Sequence, residues 1–182
     1  MAVPFFSVVI GALNAAATLP ATIAAVHEQT FTDWEAIVVD DGSADDTPGI
    51  VRRYAGADPR IRLLHASSRG VSAARNDGIA AAAGAWLLFL DADDTIFPDA
   101  LDAWHRAIEA EADVDAWCGG WVRVAPGGDV VTHEQWPITP DMFPVLARLS
   151  AFPIHSCVVR RSIVFRSGGF DVGYIKIGRA HV

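Results

Sequence analysis

Apolar and polar positions alternate along the chain in blocks that predict most of its elements. Phe5 to Ile10 is an unbroken β-branched and aromatic run ending at Gly11, the pattern of a strand buried on both faces. Ala15 to Glu28 is rich in helix formers, with Leu19, Ile23 and Val26 at helical spacing. Glu35 to Val39 predicts a second buried strand, running into Asp40-Asp41-Gly42. Asp46 to Tyr54 predicts a helix, with Pro48 in the first turn, where its missing N–H costs nothing. Ile61 to Leu64 is a short third strand. Ser72 to Ala83 is an alanine-rich helix with Gly84 as its expected C-cap. Trp86 to Leu90 is a fourth strand leading into Asp91-Ala92-Asp93-Asp94, and Pro98 to Glu111 is the next helix.

Strand and helix alternating at this rhythm predict an α/β domain: a mostly parallel sheet with helices on both faces. After Asp113 the rhythm changes, and the C-terminal third is less regular. Ala116 to Val124 and Val130 to Gln135 flank Pro126-Gly127-Gly128, which suggests a hairpin. Pro140 to Leu149 is expected as a helix and Ile154 to Val159 as a further strand.

Size and composition narrow the classes. The chain has 182 residues, 52% of them hydrophobic and 20% charged, which fits one domain with a sizeable core and excludes disorder. A formal net charge of -8 argues against general polyanion binding, so no nucleic-acid partner is expected. Cys118 and Cys157 are too few for a disulfide framework or a zinc site, and read as buried apolar residues in a reducing compartment. No Lys or Arg lies between Met1 and Ser7, so no signal peptide is expected. The longest apolar stretch, Gly78 to Leu90, falls short of the roughly 20 residues that span a bilayer. The expectation is a soluble cytoplasmic protein, with peripheral contact at the inner face of a membrane left open.

Ligands of open α/β sheets bind at the carboxyl ends of the strands. Three polar clusters stand at such ends: Gly11-Ala12-Leu13-Asn14, Asp40-Asp41-Gly42-Ser43 and Asp91-Ala92-Asp93-Asp94. Carboxylates gathered at one edge repel one another unless a cation intervenes. Oxygen ligands favour a hard one, Mg²⁺ or Mn²⁺, shared with substrate phosphates. Asp91 and Asp93, two apart on an extended segment, point to the same side. The plainer alternative is a solvated loop with Asp94 capping a helix. Asp-Gly is also a hairpin signal, but a helix follows here rather than a paired strand. Arg75-Asn76, early in an alanine-rich helix, is either a solvated pair or a cation facing the acidic edge or a phosphate. His155 is either on the acceptor side of a cleft or a hydrogen-bonded histidine near the core. Arg160-Arg161 read as solvent-facing, with phosphate contact as the alternative. Trp104, Trp117, Trp121 and Trp136 show no helical stripe, and core packing is their expected use.

Taken in order, the motifs resemble a known family. They are Val8-Val9-Ile10 followed by Asn14; Gln29-Thr30-Phe31; Trp34-Glu35; Val38 to Ser43; Asp45-Asp46-Thr47; Arg69-Gly70; Ala74-Arg75-Asn76; Leu88 to Asp94; and Gly168-Gly169-Phe170-Asp171. This series resembles the nucleotide-sugar-dependent family 2 glycosyltransferases of the GT-A fold, a Rossmann-like α/β architecture, over nearly the whole chain to about Tyr174. The resemblance implies an inverting, metal-assisted transfer of a sugar from a nucleoside diphosphate donor to a hydroxyl acceptor, a glycan or a lipid-linked one. It implies Asp41 at the base, framed by the backbone near Ala12, with Asn14 among the nucleotide-binding residues. It further implies Asp91 at the ribose, Arg75 near the nucleotide and Asp93 on a Mg²⁺ or Mn²⁺ ion at the diphosphate.

Two departures stand out. Gly11 and Leu13 occupy places where the family usually has Pro and an aromatic residue, which puts base preference in question. The family's acidic pair after G-G-F-D, which supplies the general base, has no counterpart here: Asp171 is the last acidic residue. Residues 175–182 do not resemble the family and are expected to be a foreign tail on a domain spanning 1–174. The alternative to an active transferase is therefore a nucleotide-sugar-binding fragment that lacks its base. A dinucleotide-dependent oxidoreductase is disfavoured because Gly11 to Ala16 lacks Gly-x-Gly-x-x-Gly. A nucleotidyltransferase is disfavoured because no glycine-rich basic loop follows the first strand.

Overall fold

The computed structural model describes residues 3–67, 70–125, 127–128, 130–134 and 153–173. Strands β1 (Phe6–Ala12), β2 (Trp34–Asp40), β3 (Ile61–His65) and β4 (Trp86–Asp91) alternate with helices α1 (Leu19–His27), α2 (Thr47–Ala57) and α3 (Val71–Ala81). Helix α4 (Ala100–Ala110) follows, then β5 (Ala116–Cys118), β6 (Trp121–Val124), β7 (Val130–Glu134), a 3₁₀ turn at Ile154–Ser156, β8 (Cys157–Arg160) and α5 (Arg161–Ser167). The six-stranded sheet runs β3-β2-β1-β4-β8-β5. Its first four strands are parallel, whereas β8 is antiparallel to both β4 and β5.

Side chains alternate across the pleat, so each strand serves two cores. Phe6, Val8 and Ile10 face Leu19, Ile23 and Val26 of α1, Val51 of α2 and Leu101 of α4. Val9, Ile37, Val39 and Phe89 face Ala74 and Ile79 of α3 and Val164 of α5. This two-sided burial is why β1, β2 and β4 are written as continuous apolar runs. Helix α3 lies close against the sheet at Gly78, where a Cβ would stand 2.3 Å from Val9 Cγ1.

The amino ends of the strands are tied by one polar network around Glu35. Its Oε1 accepts from Ser7 Oγ and from Ala83 N–H, each at 2.7 Å, and its Oε2 accepts from Arg62 Nη2 at 2.7 Å. Ser7 Oγ in turn accepts from Gly84 N–H at 2.8 Å. Burial pushes the Glu35 carboxyl up, but the hydrogen bonds from Ala83, Ser7 and Arg62 outweigh it and hold the group below its ordinary value.

Several expectations are corrected. Gly84 is not the C-cap of α3, which ends at Ala81 with Ala82 as its cap. It is required because a Cβ there would lie 2.7 Å from the backbone of Phe6 and Ser7. The segment Ala116 to Val124 is two strands in two sheets, broken at Gly119-Gly120. Ile154 to Val159 begins with a 3₁₀ turn before β8, and α5 has no counterpart in the sequence reading. Cys118 and Cys157 are not separate buried thiols. Antiparallel pairing of β5 with β8 sets them directly opposite, and they form a disulfide. Arg160 and Arg161 do not face only solvent. Arg160 bonds Asp115 and the Ala112 and Val114 carbonyls and lies over Trp86, and Arg161 bonds the Ala82 carbonyl. Trp104 and Trp117 pack on the first core. The expected helix at 140–149, Trp136 and the tail at 175–182 lie outside the described residues.

Candidate functional site

The parallel register brings the carboxyl ends of β1, β2 and β4 level with one another: Ala12 pairs with Asp40, and Gly11 with both Val39 and Asp91. Every predicted site residue on these strands therefore stands at one edge. The backbone N–H of Asp41 donates to the Ala12 carbonyl at 2.8 Å, which continues the β1–β2 pairing one step past the strands.

The loops after β1 and β2 are zipped together by side chains. Asn14, in a left-handed conformation at φ 50, receives a hydrogen bond from Ala44 N–H at Oδ1 (2.8 Å), while its own N–H donates to Ser43 Oγ (2.9 Å). Ala15 N–H donates to Thr47 Oγ1 and Ala16 N–H to Asp45 Oδ2. The Thr47 hydroxyl and the Ala16 N–H hold the Asp45 carboxyl below the usual aspartate range. The carbonyl of Asn14 is thus directed at the neighbouring loop. Asp40 is also structural: it accepts from Ser43 N–H and lies 3.3 Å from His65 Nδ1.

Asp41 is differently placed. Its carboxylate is largely buried, and both oxygens accept from Gly70 N–H, at 2.9 and 3.0 Å. Gly70 stands at the start of α3 with φ +110, so the bond ties the second acidic cluster to the amino end of that helix. Five residues on, Arg75 Nη2 donates to Asp91 Oδ1 at 2.7 Å. The Arg75 guanidinium also lies over the Phe170 ring, 5.3 Å from its centroid. Asp93 is exposed and forms no hydrogen bond or ion pair among the described residues. The segment is not extended as expected: Asp91 to Asp94 is a turn, closed by the Asp94 N–H on the Asp91 carbonyl at 3.1 Å, so the two-apart spacing of Asp91 and Asp93 does not by itself set their directions. Asp94 Oδ2 is 2.9 Å from Nδ1 of His155, a side chain only 15% exposed. The two groups are close but not aligned as a hydrogen bond. Asp171 is exposed and accepts from Gly173 N–H at 2.7 Å.

The edge therefore carries Asp41, Arg75, Asp91 and Asp93 from three elements, with His155 and Asp94 beside them. Gly70 and Phe170 belong to the same constellation. Both belong to motifs of the family resemblance, Arg69-Gly70 and Gly168 to Asp171, but the motifs alone assign neither a role. Gly70 is the glycine ahead of an alanine-rich helix, a weak signal, and nothing local signals Phe170. No group of three or more His, Cys, Asp or Glu among the described residues is arranged to hold a metal ion alone. The open Asp93 carboxylate is chemically compatible with a hard cation that takes its other oxygens from phosphates and water, and does not make a site alone.

Comparison with known proteins places these residues in a wider group. The family model described as glycosyl transferase family 2 matches residues 7–169. Succinoglycan biosynthesis protein ExoO of Rhizobium meliloti is 37% identical over 96% of this chain and 47% of its own length. Putative glycosyltransferase EpsH of Bacillus subtilis is 35% identical over 63% of this chain and 33% of its own. Among solved structures, the mannosyltransferase PcManGT from Pyrobaculum calidifontis, in complex with GDP-Man and Mn²⁺, has a TM-score of 0.68 at 25% identity, covering 94% of this chain and 48% of that one. S. aureus TarS 1-349 in complex with UDP-GlcNAc has a TM-score of 0.72 over 91% of this chain and 48% of that one; at 20% identity this likeness speaks to the fold alone. The chain spans about half or less of the length of these relatives.

Proposed function

The chain belongs to glycosyl transferase family 2, and from that membership we propose that it binds a nucleoside diphosphate sugar and moves the sugar, with inversion, to a hydroxyl of a glycan or lipid-linked acceptor. The observation that carries this reading is the convergence of Asp41, the Arg75–Asp91 pair and the open Asp93 on the carboxyl edge of β1, β2 and β4.

In this reading Asp41, oriented by Gly70 N–H, accepts from a base N–H, and the backbone at Ala12 frames the base. Asp91, held by Arg75, accepts from the ribose hydroxyls. Asp93 is the protein ligand of a Mg²⁺ or Mn²⁺ ion, which when bound neutralises charge on the leaving diphosphate. Transfer forms a bond from the acceptor oxygen to the anomeric carbon, breaks the bond from that carbon to the diphosphate, and releases the acceptor's proton to a base. We assign that base to none of the described residues. In the same reading His155, which stands beside Asp94, serves the acceptor side.

Calorimetry with UDP, dTDP and GDP, with Mn²⁺ and with chelator, tests the reading. Tighter binding of at least one nucleotide in Mn²⁺, lost in Asp93→Ala with an unchanged melting temperature, is the expected result. Equal affinity in chelator and in Mn²⁺ removes Asp93 from the role given to it, and no binding of any of the three removes the cleft.

A further inference from the structure

Asn76 lies in the middle of α3, where asparagine is a poorer helix former than alanine or leucine. Both ends of its carboxamide engage a residue 94 positions away. Nδ2 donates to the Phe170 carbonyl at 2.8 Å, and Oδ1 accepts from the Phe170 N–H at 2.8 Å. The side chain thus pairs with one backbone unit as a neighbouring strand would.

The turn around Phe170 is shaped to this contact. Gly168, at φ +84, closes α5 in the left-handed conformation. Gly169, at φ +74, passes so close that a Cβ would stand 2.5 Å from Asn76 Oδ1. With its backbone held, Phe170 sets its ring edge-on against Phe89 of β4, centroids 5.0 Å apart at 86°. Its face lies beneath the Arg75 guanidinium, which donates to Asp91. Successive residues of α3 therefore grip the two halves of one residue: Asn76 the backbone, Arg75 the ring.

We propose that Asn76 is a positioning residue for the nucleotide: by clamping Phe170 it fixes the platform under Arg75, and through Arg75 the orientation of the Asp91 carboxylate. The proposal rests on the reading of this edge as a nucleotide cleft. An arginine without its platform samples many rotamers, and the carboxylate it holds then loses its fixed direction.

Two readouts separate positioning from mere stapling. The first is the guanidinium NMR signal of Arg75, assigned by its loss in Arg75→Lys. Slowed rotation is expected in the native chain, and averaging to a free-arginine signal in Asn76→Ala. The second is UDP affinity in Mn²⁺, expected to fall roughly tenfold in Asn76→Ala. It should not fall further when Asn76→Ala is added to Phe170→Leu, which keeps the apolar bulk and removes the aromatic face. Asn76→Asp, which keeps the acceptor for Phe170 N–H and loses the donor, repeats both measurements if the alanine variant does not fold. A lower melting temperature with an unchanged Arg75 signal and unchanged affinity overturns the proposal, and so do independent, multiplying effects of the two substitutions. If the native chain binds none of UDP, dTDP and GDP, the cleft reading fails on that result, while the Arg75 signal still decides the clamp.

Discussion

Replacing Glu35 by alanine removes the acceptor for three donors at once. The Ser7 hydroxyl is fully buried and loses its 2.7 Å bond, at a cost of about 1–3 kcal/mol for an unsatisfied buried donor. The Ala83 N–H is nearer the surface and recovers some water, so it adds about 1 kcal/mol at most. The Arg62 side chain is 43% exposed, and its ion pair, screened by solvent, adds no more than about 1 kcal/mol. Together these predict a loss of about 1–5 kcal/mol at pH 7. Glu35→Gln keeps an acceptor for Ser7 and Ala83 and turns an N–H₂ towards Arg62, so about 1 kcal/mol is expected. The sign of the pH dependence follows from the depressed carboxyl. Its stabilisation is fully present above the ordinary value of 4.5 and is lost as pH falls through the lower folded value. The gap between native chain and Glu35→Ala should therefore narrow as the pH drops from 7 towards 3. Urea denaturation at several pH values measures it. Glu35 lies five residues before Asp40 on β2, about 16 Å from the cleft, so nucleotide affinity should not change. A gap under about 0.5 kcal/mol at pH 7, or one constant down to pH 3, would refute the reasoning.

Other perturbations probe other levels. Gly78→Ala should cost about 1–3 kcal/mol in urea melts, because its methyl meets Val9 at 2.3 Å; equal stability would show that α3 shifts freely. Reducing the Cys118–Cys157 disulfide, which closes a sequence separation of 39, should lower stability by about 2–4 kcal/mol, read as a drop in melting temperature with reductant. Asp41→Asn, which leaves one carbonyl oxygen for Gly70, should weaken UDP binding by about 2 kcal/mol in calorimetry; unchanged affinity would place the base elsewhere.

Through the first hundred residues the local sequence was enough for the order and type of the strands and helices. Runs such as Val8-Val9-Ile10 and Leu87-Leu88-Phe89-Leu90 are apolar at consecutive positions because both faces of a parallel sheet are covered, and that requirement acts residue by residue. The acidic clusters were legible for the same reason: they begin where such runs stop, and strand ends are where ligands meet open sheets. The resemblance to the family rests partly on these stretches and partly on motifs outside them, among them Ala74-Arg75-Asn76 and Gly168-Gly169-Phe170-Asp171.

What the sequence left open turns on partners far away in the chain. Nothing near Cys157 says that β8 lies antiparallel beside β4 and carries Cys157 opposite Cys118. Nothing near Asn14 says that its carbonyl meets Ala44, or that Asn76 meets Phe170 across 94 residues. Arg160 and Gly84 were misread for the same cause, since one is captured by carbonyls of the loop before β5 and the other by the backbone of β1. Periodicity reports whether a side chain is buried, because burial is a property of one residue and its immediate neighbours. A hydrogen bond, disulfide or steric clearance is a property of two residues whose separation only the packed chain decides.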